Sequence, residues 1–306
     1  MKEIFKKYSR ASWSAFAQSK KESPVTERDL VDLTSLGDRV NLQDVDQIYL
    51  PLVDYLHLFY TKKKELEEKR AHFLQTEQVK IPFIIGISGS VAVGKSTSAR
   101  LITLMLKRLY PELQAQLITT DGFLYSTAEL NRRNLLERKG FPDSYNMNLL
   151  YDFLNDVSSG KPDVTYPIYS HNIYDIVPGE YGHVTQPDIL IVEGINVLQL
   201  PANQELYISD FFDFSLYLDA DEDQIEEWYL SRFKRILELA QNDPENYYYK
   251  YAHRSMDDAI QMAKDVWQEV NLTNLREYIA PTKPRANLIL HKTKHHLIDS
   301  VWLRKY

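Results

Sequence analysis

The chain has 306 residues, 44% of them hydrophobic, enough to bury the core of one large α/β domain or two small ones. A net charge of −7 argues against a general nucleic-acid binder, whose footprint is usually basic. The absence of cysteine excludes a disulfide framework, a thiolate metal site and a cysteine nucleophile.

The first residues, Met1-Lys2-Glu3-Ile4-Phe5-Lys6-Lys7, lack the apolar centre of a signal peptide, and no apolar run approaches membrane-spanning length. A cytoplasmic protein without a membrane segment is expected. Residues 1–80 read as a helical N-terminal extension packed on the core. Thr26 and Asp29 have capping-box spacing ahead of Leu30 and Leu33. Asn41 and Asp44 suit the start of a second helix carrying Val45, Ile48, Leu52, Tyr55, Leu56 and Phe59, which Pro51 should kink or restart. The mixed charges from Lys62 to Arg70, with Glu65 and Lys69 at i, i+4, read as a solvated helical face.

From residue 81 the pattern changes to alternating strands and helices. The fold class this predicts is α/β: a phosphate-loop NTPase-type, mainly parallel sheet flanked by helices. Strands are expected at 81–88, 115–120, 187–194, 214–218 and 286–290, and helices at 97–107, 221–239 and 256–279. No linker separates domains, so 1–80 and the 81–306 core with its substrate-pocket helices are taken as one structural unit.

Between the first strand and its helix runs Gly89-Ser90-Val91-Ala92-Val93-Gly94-Lys95-Ser96, which fits G-x-x-x-x-G-K-[ST] at every fixed position. Such a loop points its N–H groups inward and, with the helix N-terminus, makes a concave anion site. Lys95 would reach the β- and γ-phosphates of a nucleoside triphosphate, and the Ser96 hydroxyl would be a ligand for Mg²⁺. In open parallel sheets ligands sit at the carboxyl ends of the strands, which places Asp121 and Glu193 beside the loop. Asp121 is either a turn-forming Asp-Gly or a carboxylate near the γ-phosphate, as base or in the metal shell. Glu193 ends an apolar run as the acidic residue that assists the metal does, or is a structural carboxylate. Arg232 lies within the apolar stripe of 221–239 and needs an anionic partner, either a transferring phosphoryl group or an internal carboxylate.

Tyrosine is abundant at 21 residues, and two stretches are dense in it: Tyr166, Tyr169 and Tyr174, and Tyr247-Tyr248-Tyr249-Lys250-Tyr251. They suit either surface packing or the wall of a pocket for an elongated, partly polar metabolite. Ser255 and Asp258 have capping spacing, and Asn271 is a polar amide on the same side of that helix as Ile260 and Trp267. The basic segment Asn131-Arg132-Arg133 and Glu137-Arg138-Lys139 is either a phosphate-facing lid or a solvated loop.

The run Gly89 to Ser96 with Thr97 closely resembles the phosphate loop of the bacterial type I pantothenate kinases. Further matches follow in the same order: Thr119-Thr120-Asp121-Gly122-Phe123-Leu124, Arg138-Lys139-Gly140-Phe141-Pro142, Tyr169-Ser170-His171-Asn172-Ile173-Tyr174-Asp175, Val192-Glu193-Gly194-Ile195-Asn196-Val197-Leu198 and Trp228-Tyr229-Leu230-Ser231-Arg232-Phe233. Tyr49-Leu50-Pro51-Leu52 matches in the extension. The resemblance implies homodimers that use ATP and Mg²⁺ to phosphorylate pantothenate to 4′-phosphopantothenate, inhibited by coenzyme A in competition with ATP. It implies Asp121 as the base, Lys95 and Arg232 on the γ-phosphoryl group, and Ser96 and Glu193 in the metal shell. It further implies Tyr169, Tyr174, Tyr229 and Asn271 as pantothenate contacts, and Lys95, Arg100, His171 and Phe233 as coenzyme A contacts. Ile236 and Gln241 stand where some members carry aromatic residues of the pantetheine channel. The competing functions are a uridine- or phosphoribulokinase-like small-molecule kinase and a non-catalytic nucleotide switch. A guanine switch would usually carry Asn-Lys-x-Asp, which this sequence lacks.

Overall fold

A computed structural model describes residues 4–18, 23–199 and 207–306. Among the described residues nine strands occur: β1 (Phe5–Ser9), β2 (Phe83–Gly89), β3 (Ala115–Thr119), β4 (Val164–Ser170), β5 (Asp175–Val184), β6 (Ile189–Glu193), β7 (Phe214–Ala220), β8 (Leu288–Lys292) and β9 (Ile298–Arg304). Seven form one sheet in the order β1-β9-β8-β7-β2-β6-β3, and β4 and β5 form a separate antiparallel hairpin. β2 pairs in parallel with β6 on one side and β7 on the other, which makes the strand feeding the phosphate loop central. Every residue of β2 and β6 is buried, as expected for parallel strands covered on both faces.

All five expected strands are present. The extension differs from its helical expectation at Phe5–Ser9, which is β1 and pairs antiparallel with β9. β1 and β9 lie at the edge, where Lys6 and Lys7 are exposed, so they lack the apolar continuity that marks the central strands.

The helices used below are α1 (Glu27–Leu33), α2 (Leu50–Leu74), α3 (Lys95–Leu109), α4 (Met147–Ser158), α5 (Glu222–Ala240) and α6 (Met256–Val266). The Thr26–Asp29 capping box starts α1, Asn41 caps the turn at Leu42–Asp44, and Ser255 caps α6. A π-helical turn at Val45–Tyr49 precedes α2, which restarts with Pro51 in its first turn, where the missing N–H costs nothing. The solvated face expected at 62–70 holds for Lys62, Glu65 and Lys69 but not for Lys63. Its Nζ donates to Asp213 at 2.6 Å and ties α2 to the sheet. The single helix expected over 256–279 is instead α6 followed by π-helical turns at Trp267–Leu272 and Leu275–Ile279. A second small core of Phe233, Leu237, Ala259 and Ala263 joins α5 to α6.

Candidate active site

The loop is shaped by close approaches that only glycine permits. Gly89, at φ 145°, brings its Cα so near β7 that a Cβ would stand 2.5 Å from the Leu218 carbonyl oxygen. Ala92 and Gly94 take positive φ of 57° and 94°, so successive peptide groups turn to form a nest ahead of α3. Val93 is fully buried and anchors the loop, while Val91 at its crest is half-buried. The Ser90 hydroxyl is buried with no hydrogen-bond partner among the described residues. Lys95 folds back to donate from Nζ to the Ser90 carbonyl at 2.8 Å, and Thr97 Oγ1 accepts from the Ser35 N–H at 3.0 Å.

The strand-end rule places the two carboxylates. Asp121 lies in the 3₁₀ turn after β3, and Glu193 ends β6. Ser96 Oγ donates to Glu193 Oε1 at 2.6 Å. A hydroxyl and a carboxylate side by side are the hard oxygen donors that suit Mg²⁺. The two strand ends pack so closely that a Cβ on Gly194 would stand 1.8 Å from Thr120 Oγ1. Arg232 is half-buried on α5 and forms no hydrogen bond or salt bridge with a carboxylate among the described residues. The internal-carboxylate reading of Arg232 therefore has no partner there.

Burial pushes the Asp121 carboxyl above the usual range, against the pull of Lys95, Arg232 and Lys139. Burial also raises Glu193, which Lys95 opposes and Asp121 reinforces. Lys95 is lowered by burial in spite of Glu193 and Asp121, with Arg232 adding to the shift. Titratable groups shifted by burial and by one another at the end of a glycine loop are the pattern of a functional site.

The β4–β5 hairpin and the segment after α5 wall the open side. Gly122 lets the hairpin lie on the Asp121 turn, since a Cβ would meet the Pro167 carbonyl oxygen at 2.2 Å. Tyr174 stacks on Tyr247 at 4.7 Å and meets Tyr248 edge-on at 6.0 Å, and Tyr169 is 6.4 Å from Tyr174. Burial raises the pKa of Tyr169 and Tyr174 and lifts Tyr229 to about 12. The Asn271 amide beside the Tyr229 phenol partly offsets that rise. The two tyrosine segments thus pack on one another through Tyr174, Tyr247 and Tyr248.

The remaining expected residues lie apart from the carboxylates. Arg100 is exposed, with Nε donating to the Ser96 carbonyl at 3.2 Å and its guanidinium on Ser35 Oγ. Phe233 is buried beside Tyr248, with ring centroids 6.1 Å apart. His171 lies at the hairpin tip between β4 and β5, its ring edge-on to Tyr169 at 5.2 Å. Desolvation there, with Arg232, Lys139 and Arg100 nearby, lowers its pKa to about 4 against the opposing pull of Glu193.

Sequence reasoning missed Lys139 as a site residue. Arg132 and Arg133 of the basic segment are spent on Glu129, as a solvated loop would have it. Lys139 turns inward, with Nζ 4.1 Å from the Tyr174 ring centroid and donating to the Tyr174 carbonyl. Gly140, at φ 96°, makes the turn, and Asn274 Nδ2 holds its carbonyl at 2.8 Å. The signal was Lys-Gly-Phe-Pro, a cation followed by a turn glycine and a proline that biases the residue before it away from the helix.

A sequence profile of the Phosphoribulokinase / Uridine kinase family matches residues 84–235. The pantothenate kinase of Ligilactobacillus salivarius is 55% identical over 300 residues, covering 98% of this chain and 97% of that protein. The pantothenate kinase of Lactiplantibacillus plantarum is 53% identical over 301 residues, with the same coverage of 98% and 97%. The chain belongs to the pantothenate kinase family. That likeness extends through the N-terminal extension and through α6 and its π-helical turns, both outside the profile match. Among solved structures, D-glycerate 3-kinase from Cryptococcus neoformans aligns with a TM-score of 0.55 and 14% identity, covering 81% of this chain and 97% of that one. The protein YGR205w aligns with a TM-score of 0.55 and 18% identity over 81% and 99%. At that identity they share the fold alone.

Proposed function

We propose that the chain transfers the γ-phosphoryl group of ATP to the hydroxyl of pantothenate, giving 4′-phosphopantothenate, the first step toward coenzyme A. The observation that carries the reading is the convergence of Asp121, Lys95 and Arg232 beneath the tyrosine wall, in a chain more than half identical to pantothenate kinases over nearly its whole length. Asp121 takes the hydroxyl proton as phosphoryl transfer begins. Lys95 and Arg232 hold the charge of the transferring group, and among the described residues Arg232 has no hydrogen-bonded or ion-paired carboxylate to draw it from that task. Gly89 to Thr97 cradle the triphosphate. Ser96 and Glu193 would hold Mg²⁺, which would supply neutralisation of phosphate charge. Tyr169, Tyr174, Tyr229 and Asn271 line the pantothenate pocket, and Lys139 adds a cation beside Asp121. The 1–80 extension and the 81–306 core work as one structural unit, supported by the Ser35–Thr97 hydrogen bond across the two.

Coenzyme A is proposed as a feedback inhibitor that shares Lys95 with ATP and reaches Arg100, His171 and Phe233. His171, lowered to about 4, is neutral near pH 7 and offers a ring to stack on rather than a charge. A homodimer in the cytoplasm is part of the same reading. Among the described residues, no helix is long and apolar enough to cross a membrane.

Mass spectrometry of the product tests the reaction. Pantothenate incubated with the chain and Mg²⁺-ATP should gain one phosphoryl group, and no gain with Asp121 intact would contradict the proposal. For the regulatory site, Arg100→Ala should weaken coenzyme A inhibition about ten- to a hundredfold, the loss of one charge-assisted contact. Equal inhibition constants in wild type and variant would remove Arg100 from that site.

A further inference from the structure

A buried ion pair lies directly behind the phosphate loop. Lys292, at the end of β8, is 3% exposed, and Asp38, from the extension, is 8% exposed. Lys292 Nζ donates to Asp38 Oδ1 at 3.1 Å and to the Val93 carbonyl at 3.0 Å. His296 Nδ1 stands 2.8 Å from the same Asp38 oxygen, and its ring stacks on Trp228 at 4.1 Å. Burial alone would raise the Asp38 pKa. Lys292, His296 and Thr97 outweigh it and hold the carboxyl well below the usual range. Gly94 lies so close over the pair that a Cβ would meet Asp38 Oδ2 at 2.4 Å and Lys292 Nζ at 2.5 Å.

Desolvating two ions is costly, and a pair of apolar side chains often stabilises such a position as well or better. What an apolar pair cannot do is hold a carbonyl. Among the described residues there is no cis peptide, so the Val93 C=O and the Gly94 N–H point in opposite directions across their shared peptide plane. A donor that draws the Val93 oxygen back into the protein therefore turns the Gly94 N–H outward, toward the concave side where an anion would lie.

We propose that Lys292 and Asp38 are positioning residues for the nucleotide: Lys292, held by Asp38, fixes the Val93–Gly94 peptide so that its N–H faces the phosphates. The device joins elements 254 residues apart in sequence, so the loop is set by the extension and by β8 as well as by its own glycines. It rests on the reading of Gly89–Ser96 as an ATP site.

The test compares steady-state kinetics and Tm for wild type, Lys292→Met, Asp38→Asn/Lys292→Met and Asp38→Asn/Lys292→Gln. Lys292→Met leaves the buried Asp38 carboxylate without its nearest full cation, beside His296 alone, and loses the donor to Val93, so Tm falls and KM for ATP rises about ten- to a hundredfold, the cost of mispositioning a binding group. KM for pantothenate stays within about twofold, since no pantothenate contact has been touched. The Asn/Met variant removes the stranded charge and regains Tm, but KM for ATP stays high. The Asn/Gln variant restores a neutral donor to the Val93 carbonyl and returns KM for ATP toward wild type. A KM for ATP that recovers with Tm in the Asn/Met variant would make the pair merely structural and overturn the proposal. Should the methionine variants not fold, Lys292→Arg, longer by one bond and still charged, pushes the carbonyl out of place, and an unchanged KM for ATP in that folded variant would also overturn it. A wild type that turns over no ATP would refute the nucleotide reading itself, whatever the variants do.

Discussion

The chemistry at Asp121 turns on a balance between burial and three cations. Burial favours the protonated carboxyl, while Lys95, Arg232 and Lys139 favour the anion that a base must be. Asp121→Asn should cut kcat by roughly 10²–10⁴, the range of a lost general base, in a rate assay at saturating substrates. The same substitution should not lower Tm. The folded pKa is raised, so ionised Asp121 opposes folding: that group's contribution is greatest below the ordinary aspartate value of about 3.9 and is lost as pH rises through the folded pKa. At pH 7 the neutral amide is therefore predicted to raise Tm, and a large fall would make Asp121 structural. Arg232→Gln removes one cation that favours the anion, so Asp121 becomes harder to ionise. The acid limb of the pH–kcat/KM profile should move to higher pH, and an unmoved limb would separate Arg232 from Asp121. Asp121, Glu193 and Lys95 were legible because a fixed motif and the strand-end rule both pointed to them. Lys139 was not, because its neighbours Arg132 and Arg133 are ordinary surface ions, and only the Gly140 turn distinguishes it.

At the scale of elements, the site is made where β2, β3 and β6 end and α3 begins, so strand packing and catalysis share the same glycines. Gly194→Ala would drive a Cβ to 1.8 Å from Thr120 Oγ1, whose hydroxyl donates to Asn196 Oδ1 at 2.6 Å. Relief requires the ends of β3 and β6 to part. The variant should lose about 1–3 kcal/mol of stability in a denaturant titration, the usual cost of overpacking, and lose activity through the displaced Glu193 and Asp121. Wild-type stability would show that the strand ends are loosely packed. The central strands were readable as unbroken β-branched runs, because covering helices leave no polar face. The β4–β5 hairpin was not recognised as strands, because its prolines and its partly buried Tyr166 and Tyr169 break the apolar alternation, leaving only Val164 and Val184 fully in the core. The π-helical turns after α6 were beyond an i, i+3/i+4 reading, because that periodicity assumes the regular helix they interrupt.

Over the whole molecule, the two ends of the chain close one edge of the sheet. β1 covers β9 with a register from Phe5↔Arg304 to Ser9↔Ser300, and the Lys305 N–H returns to the Ile4 carbonyl at 3.0 Å. Deleting residues 1–9 would bare the β9 edge to other chains. The truncated protein should show a lower Tm and concentration-dependent aggregation by light scattering, and a monodisperse product of unchanged Tm would show that β1 is dispensable. This long-range closure was hidden in the sequence because five polar-patterned residues at an edge carry little signal until their partner strand is known. The central claim is that this architecture phosphorylates pantothenate rather than another alcohol. Its most direct test is ADP release, measured in parallel with pantothenate, uridine and ribulose 5-phosphate at equal concentration with Mg²⁺-ATP. Release with pantothenate that Asp121→Asn abolishes is expected, with only background release from the other two. Release with uridine or ribulose 5-phosphate but not with pantothenate would contradict it.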